Sequence, residues 1–222
     1  LGAGVGCYRD SEHMKAIQNG LKKELEAIAE PNDNQVRQFI LRSRAILGKL
    51  VDGKVEPYSL EEKLEMLFEA IRLTSPYFDI DHIDKGLYCI DEVKVINQIA
   101  NIYSKQGKRE QALQIFVQLI EYIKQHFHNV KQSGGLLPLV SFNYARELDL
   151  DGQYEKAIEI AKLGWESCVQ YGQYATLPSS IEIIAECYHF LGDDEKSKDY
   201  YKQAYYIYKA IGDNHGLNSI KT

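Results

Sequence analysis

No stretch of this 222-residue sequence approaches the roughly 18 consecutive apolar residues that a membrane-spanning helix needs, and its longest apolar stretches are amphipathic. No secretory leader pattern opens it. Positive charge is in deficit: 26 Lys and Arg stand against 32 Asp and Glu, a formal net charge of −6. That balance argues against this segment gripping a phosphate backbone, although a basic domain elsewhere in the same protein is compatible with it. Cysteine is scarce, and none of Cys7, Cys89, Cys168 and Cys187 lies at CxxC spacing. Cys187 replaces an apolar residue in a helix pattern, and Cys168 follows Trp165 on a similar helix. The four thiols are therefore expected to be structural, without metal or redox use, which fits a reducing cytoplasm. No Walker loop, GxSxG or HExxH occurs. Alternating apolar and polar residues never persist, so no strand is expected.

What the sequence does contain is one pattern three times. Ile96-Asn97-Gln98-Ile99-Ala100-Asn101-Ile102-Tyr103, Ser141-Phe142-Asn143-Tyr144-Ala145-Arg146-Glu147-Leu148 and Ile181-Glu182-Ile183-Ile184-Ala185-Glu186-Cys187-Tyr188 each reach a glycine four residues on, at Gly107, Gly152 and Gly192. A second amphipathic run follows, with a small residue five positions past the glycine: Ala112, Ala157 and Ser197. The small residues let paired helices approach, and the glycine permits the tight turn between them. Such a unit cannot bury its apolar face alone and must stack on neighbours. The expected fold is all-α, a tetratricopeptide-like right-handed α-solenoid of about five antiparallel helix pairs.

Residues 1–9 are glycine-rich and read as a hinge, and 10–222 as the repeat domain. The opening at Leu1 without an initiator Met predicts a segment of a longer protein. Residues 10–29 carry Met14, Ile17, Leu21, Leu25 and Ile28 on one helical stripe. Pro31 to Asn34 breaks that helix. Gln35 to Val51 is expected to be the next, with Val36, Phe39, Ile40, Ile46, Leu47 and Leu50 inside. Ser59 and Glu62 spell a capping box for a helix running to about Thr74. Residues 77–90 read as an irregular or short helical connection. The regular repeats then follow at 91–126, 137–171 and 177–211. Their glycine-to-glycine spacings of 45 and 40 residues exceed the standard period of about 34, through longer helices and the loop 127–135.

Several motifs carry a resemblance across essentially the whole chain. Glu69-Ala70-Ile71-Arg72-Leu73-Thr74-Ser75-Pro76-Tyr77-Phe78 is followed by Asp91-Glu92 and the first repeat. Phe142 to Leu148, Gly152-Gln153-Tyr154 and Gln203-Ala204-Tyr205 come later. This series resembles the C-terminal repeat domain of Gram-positive Cro/repressor-type helix-turn-helix regulators, a group related to the Rap, Rgg, PlcR and PrgX peptide-pheromone receptors. The resemblance implies a missing N-terminal DNA-binding domain, and a ligand-sensing, homodimer-forming role for this segment in the cytoplasm. No cofactor is implied.

In a tetratricopeptide array the first helix of each pair lines the concave face. With Ala100, Ala145 and Ala185 at the eighth position, the groove positions read Lys94, Asn97, Asn101 and Ser104, then Leu139, Phe142, Arg146 and Asp149, then Ser179, Glu182, Glu186 and His189, with Asn143 bordering. A carboxamide offers both a donor and an acceptor to an extended peptide backbone, which suits Asn97, Asn101 and Asn143 to peptide binding. Lys94 and Arg146 can hold a carboxylate, and Leu139 and Phe142 can supply an apolar pocket. The plainer alternative for each asparagine is solvated helix surface. Glu182 and Glu186 sit at i,i+4 with no partner base, which fits a solvated face better than acid–base catalysis. His126 and His128 point to different faces, against a metal site. The cluster Tyr200, Tyr201, Tyr205, Tyr206 and Tyr208 reads as core packing or a dimer contact, on a last helix expected to lack a covering neighbour. The expected function is peptide sensing by a regulator; the alternative is a scaffold for a protein partner with no DNA role. An enzyme has almost no support.

Overall fold

The computed structural model describes residues 33–127 and 134–220. The expected hinge, the helix at 10–29, Cys7 and His128 lie outside these residues. Among the described residues are nine α-helices: Asn34–Leu47 (α1), Leu60–Thr74 (α2), Ile90–Lys105 (α3), Arg109–Phe127 (α4), Leu136–Leu150 (α5), Tyr154–Tyr171 (α6), Leu177–Phe190 (α7), Asp194–Ile211 (α8) and Asn214–Ile220 (α9). They fall into two compact units, divided between Ile115 and Phe116.

Within the units, helices adjacent in chain order pack together. In the first, α1 meets α2 and α2 meets α3; in the second, α5 to α9 form the same series and α5 also touches α7. This is the contact pattern of a solenoid of helix pairs. The repeat signature explains it. Ala100, Ala112, Ala145, Ala157 and Ala185 are fully buried and Ser197 nearly so. The turn after each first helix closes in the same way three times, with Lys108 N–H donating to Tyr103 O, Gln153 N–H to Leu148 O and Asp193 N–H to Tyr188 O, all at 2.9 Å. Gly107, Gly152 and Gly192 sit there at φ of +77°, +76° and +83°, a backbone region that L side chains rarely adopt. Gly164 serves a different end. A Cβ on it would lie 3.1 Å from Ser141 Cβ and 3.6 Å from Ser180 Oγ, so its absence lets α6 approach α5 and α7 closely.

The region before the repeats departs from expectation in two ways. The helix expected to run to Val51 ends at Leu47. Lys49–Val51 (β1) then pairs antiparallel with Lys54–Glu56 (β2), in register Val51 opposite Lys54. Asp52 and Gly53 form the two-residue turn, both at positive φ (+48° and +77°). Asp-Gly is a strong hairpin signal, but strands of only three residues are too short for apolar–polar alternation to register. The inward face of α1 is also rotated from the expected one. Val36, Phe39 and Ile46 are exposed, while Gln38, Arg42 and Ala45 are buried. Polar partners explain the reversal: Gln38 Nε2 donates to Ala70 O at 3.0 Å and to Thr74 Oγ1 at 2.6 Å, and Arg42 reaches Asp91.

The Thr74-Ser75-Pro76 stretch belongs to the same polar network. The Thr74 and Ser75 hydroxyls both donate to Glu92 Oε1, and Cys89 N–H donates to Glu92 Oε2 at 2.8 Å. One buried carboxylate thus caps the start of α3 and ties it to the end of α2. The capping box of α2 forms as expected: Glu62 N–H donates to Ser59 Oγ and Ser59 N–H to Glu62 Oε2.

The far end of the array corrects another expectation. Helix α8 has a covering neighbour: Leu217 and Ile220 of α9 pack on a core of Cys168, Leu177, Ile181, Ala204 and Tyr208. Of the tyrosine cluster, Tyr208 is buried there, Tyr200 packs partly against it, and Tyr206 is exposed. The cysteine reading holds for Cys168 and Cys187, which are buried, but Cys89 is exposed.

Candidate ligand-binding faces

In the first unit the candidate side chains lie on α3, whose start is anchored by Glu92. Lys94 is partly buried and its Nζ lies 3.4 Å from Asp91 Oδ1, one turn back. Asn101 and Ser104 are partly exposed. Asn97 is not on an open surface: it is 3% exposed. It serves the packed interior, which corrects its assignment as a groove residue. The spacing argument placed it on the face with Lys94 and Asn101, but spacing cannot register which part of that face neighbouring segments cover; at the start of α3 one such neighbour is α1. The contact is Arg42 Nη1 on Asp91 Oδ1, at 3.3 Å.

In the second unit the candidates lie on α5 and α7. Leu139, Phe142, Asn143 and Asp149 are partly exposed and Arg146 is exposed. Glu186 and His189 of α7 are exposed, and Ser179 and Glu182 are partly buried. The structure brings Asp149, Glu182 and Glu186 into one electrostatic neighbourhood with Arg146. Although the Glu186 residue as a whole is exposed, partial desolvation of its carboxyl raises it above its ordinary value, the charges of Asp149 and Glu182 raise it further, and Arg146 opposes them. Burial also raises Asp149, against the hydrogen bond from Cys187 and the charge of Arg146. Tyr201 of α8 faces the same carboxylates, and burial with their charges pushes its phenol up to about 12. The sequence placed Tyr201 in a packing cluster and gave no sign that it faces charge.

Glu182 and His189 are among the candidates engaged by the chain itself. Glu182 Oε2 accepts from Tyr208 Oη at 2.6 Å and its Oε1 from Ser219 Oγ at 3.3 Å, while Tyr208 Oη also meets Ser179 Oγ at 3.1 Å. Burial raises the Glu182 carboxyl despite those donors. The expectation that Glu182 lies open along the groove is corrected accordingly: α8 and α9 reach over to it. His189 Nδ1 lies 2.8 Å from Asp194 Oδ1 at the start of α8.

Cys187 donates to Asp149 Oδ1 at 3.3 Å, and burial with the neighbouring carboxylates drives its thiol strongly upward, away from the thiolate a nucleophile or metal ligand requires. Among the described residues no group of His, Cys, Asp and Glu is arranged to hold a metal ion, and no helix is long and apolar enough to cross a membrane. What the faces offer is a mixture of carboxamides, paired and unpaired charge, and apolar side chains on rigid helices.

Comparison with known proteins agrees with the architecture. No curated protein matches the chain. Among solved structures it is similar to Bacillus thuringiensis PlcR in its apo form, with a TM-score of 0.68 and 19% identity over 94% of this chain and 71% of that one. It is also similar to Bacillus thuringiensis PlcR in complex with the peptide PapR7 and DNA, at 0.55 and 18% identity over 96% and 75%. A Podosopora anserina protein described as a putative kinesin light chain with nearly identical TPR-like repeats matches at 0.52 and 13% identity, over 90% and 87%. These likenesses establish a tetratricopeptide-like all-α fold. The sequence model of the RNPP family C-terminal domain matches residues 10–216, and the chain belongs to that family.

Proposed function

We propose that this chain is the sensing domain of a bacterial transcription regulator and that its ligand is a short peptide, held on the first-helix faces of the repeats. The observation that carries the reading is the family match over residues 10–216. The solved PlcR complex with the peptide PapR7 and DNA supports it, because a chain of the same fold works there beside both partners. In the first unit Lys94 and Asn101 are the ligand contacts, with Asn97 shaping the face from beneath. In the second unit Leu139 and Phe142 supply apolar contact, and Asn143 and Arg146 supply polar contact. Glu186 sets the local charge, while Glu182 and His189 form the margin already tied to α8 and α9. DNA contact belongs to a further N-terminal domain, since this chain carries a net charge of −6 and lacks the attraction that phosphate binding requires. The regulator acts in the cytoplasm as a homodimer, so that two-fold symmetry matches a palindromic site.

The test begins with mass spectrometry of peptides released by denaturing the natively purified chain. Calorimetry of the identified peptide then compares the wild type with Asn101→Ala and Asn143→Ala. Each truncation is expected to cost about 1 kcal/mol or more, roughly fivefold in affinity. Unchanged affinity in the double variant would place the ligand elsewhere. Sedimentation at micromolar concentration is expected to show a dimer, and a gel shift at low salt to show no sequence-selective complex. A strict monomer, or a selective complex, would contradict the corresponding part of the reading.

A further inference from the structure

The turns that close the second and third repeats carry apolar side chains into water. Leu150 at the end of α5 is 55% exposed, and Phe190 and Leu191 after α7 are 61% and 40% exposed. They lie along one edge of the second unit. Asp149, next to Leu150, accepts from Cys187, one turn before Phe190, so the two helix ends are held side by side. Tyr154 at the start of α6 stacks on Phe190, with ring centroids 5.0 Å apart and planes 11° from parallel. Folding does not require apolar residues here. In the first repeat the positions equivalent to Leu150 and Phe190, and to Asp151 and Leu191, hold Lys105 and Gln106. That turn closes with the same backbone bond and the same positive-φ glycine. The stack on Tyr154 still leaves most of Phe190 in water. The flanking charge has one sign in excess. Asp151, Glu155, Asp193, Asp194 and Glu195 stand against Lys156 and Lys196, and both lysines lie over rings of the chain itself, Tyr144 and Tyr188.

We propose that this turn ridge is a second docking surface, apart from the first-helix faces, and that its occupant is a basic amphipathic helix of another protein. The apolar stripe of that helix rests on Leu150, the Tyr154–Phe190 stack and Leu191, and its lysines or arginines face the flanking carboxylates. Charge complementarity selects this occupant. A second copy of this chain would set the same acidic rim against itself, because a two-fold contact brings identical patches together. The proposal does not depend on the peptide-sensing reading: the ridge can be filled whether or not the first-helix faces hold a peptide.

The probe is a fluorescent peptide of leucine and lysine, about 18 residues long, with its leucines at helical spacing. Two controls accompany it: a scramble of the same composition without an apolar stripe, and a leucine–glutamate peptide with the stripe and opposite charge. Anisotropy titration of each with the 222-residue chain, at physiological salt, gives the affinities. The striped basic peptide is expected to bind about tenfold or more tighter than either control. Leu150→Ser/Phe190→Ser is expected to weaken it about tenfold, and Glu155→Lys/Glu195→Lys to weaken it comparably with a shallower salt dependence. Circular dichroism checks that both variants stay folded, and the second leaves the aromatic stack untouched. Val36→Ser/Phe39→Ser, which removes exposed apolar side chains from the first unit, is expected to change nothing. Equal binding of the scramble would reduce the effect to general attraction between acid and base, and equal binding of the leucine–glutamate peptide would reduce it to apolar adhesion; either overturns the proposal. So would absence of binding by the striped basic peptide, or unchanged affinity in both ridge variants. Sedimentation of Leu150→Ser/Phe190→Ser supplies the remaining arm. Loss of a wild-type dimer in that variant would make the ridge a contact between copies and overturn the assignment to a basic partner, whereas an unchanged oligomeric state is expected.

Discussion

Replacing Glu92 by alanine removes the carboxylate that joins α2 to α3. Thr74 and Ser75 donate to one of its oxygens and Cys89 N–H to the other, and the side chain is 4% exposed. A hydrogen bond to a charged group contributes about 1.5–3 kcal/mol net. The three bonds do not add fully, because they share one acceptor group and the Thr74 and Ser75 hydroxyls are only partly buried and can turn to water. The loss of the helix cap is included among them, at about 1 kcal/mol. The expected cost of Glu92→Ala is therefore about 3–4 kcal/mol. Glu92→Gln keeps the shape and can aim its amide oxygen at Cys89 N–H and its NH2 at the Thr74 and Ser75 hydroxyls, but it loses the charge, and should cost about 1–2 kcal/mol. Urea unfolding of the 222-residue chain measures both, and a cycle with Thr74→Val should show a coupling of about 0.5–3 kcal/mol. Where unfolding of the two units separates, hydrogen exchange of the α3 amides reports the relevant step. The same variant should weaken peptide binding, since α3 carries Lys94 and Asn101. A cost below about 1 kcal/mol for Glu92→Ala, or no coupling to Thr74, would refute the view that this carboxylate anchors α3.

Ala145→Leu is expected to lower stability by about 1–3 kcal/mol, because Ala145 is fully buried at a helix contact and a larger chain overpacks it; an unchanged melting temperature would contradict the repeat register. Partial desolvation, with mutual repulsion at Glu186, holds the Glu182, Glu186 and Asp149 carboxyls above their ordinary values, so between the ordinary and the raised range the folded chain binds more protons than the unfolded one. Stability from these groups is then expected to rise as pH falls through their raised titration range and to level off below the ordinary carboxylate range. Thermal melts should show the wild type gaining more over that interval than a Glu182→Gln/Glu186→Gln double variant, and parallel slopes would refute the assignment. All three thiols are raised, so accessibility decides: in a Cys7→Ser background exposed Cys89 should react with a thiol reagent, while buried Cys168 and Cys187 should react only on unfolding. Fast labelling of either buried thiol in the native chain would contradict their packing.

The sequence by itself determined the repeat. Small residues at 100, 145 and 185, glycines at 107, 152 and 192, and the apolar periodicity between them act within a turn or two of one another. Their physical requirements, close approach and positive φ, can therefore be read from spacing alone. The capping box at Ser59 was legible for the same reason. What only the tertiary structure decided depends on partners distant along the chain. Helical periodicity gives α1 an apolar stripe through Val36, Phe39 and Ile46. The fold instead buries Gln38 and Arg42, because Thr74 lies 36 residues away from the first and Asp91 lies 49 away from the second to satisfy them. A buried polar group costs little when it is paired, and pairing across that separation leaves no local mark. Asn97 and Glu182 carry the same lesson in the candidate site. Both have the right spacing for an open face, yet one lies in the packed interior and the other is claimed by Tyr208 and Ser219. Spacing specifies which side chains share a helix face, whereas the neighbouring helices decide which of those faces remains open to a ligand.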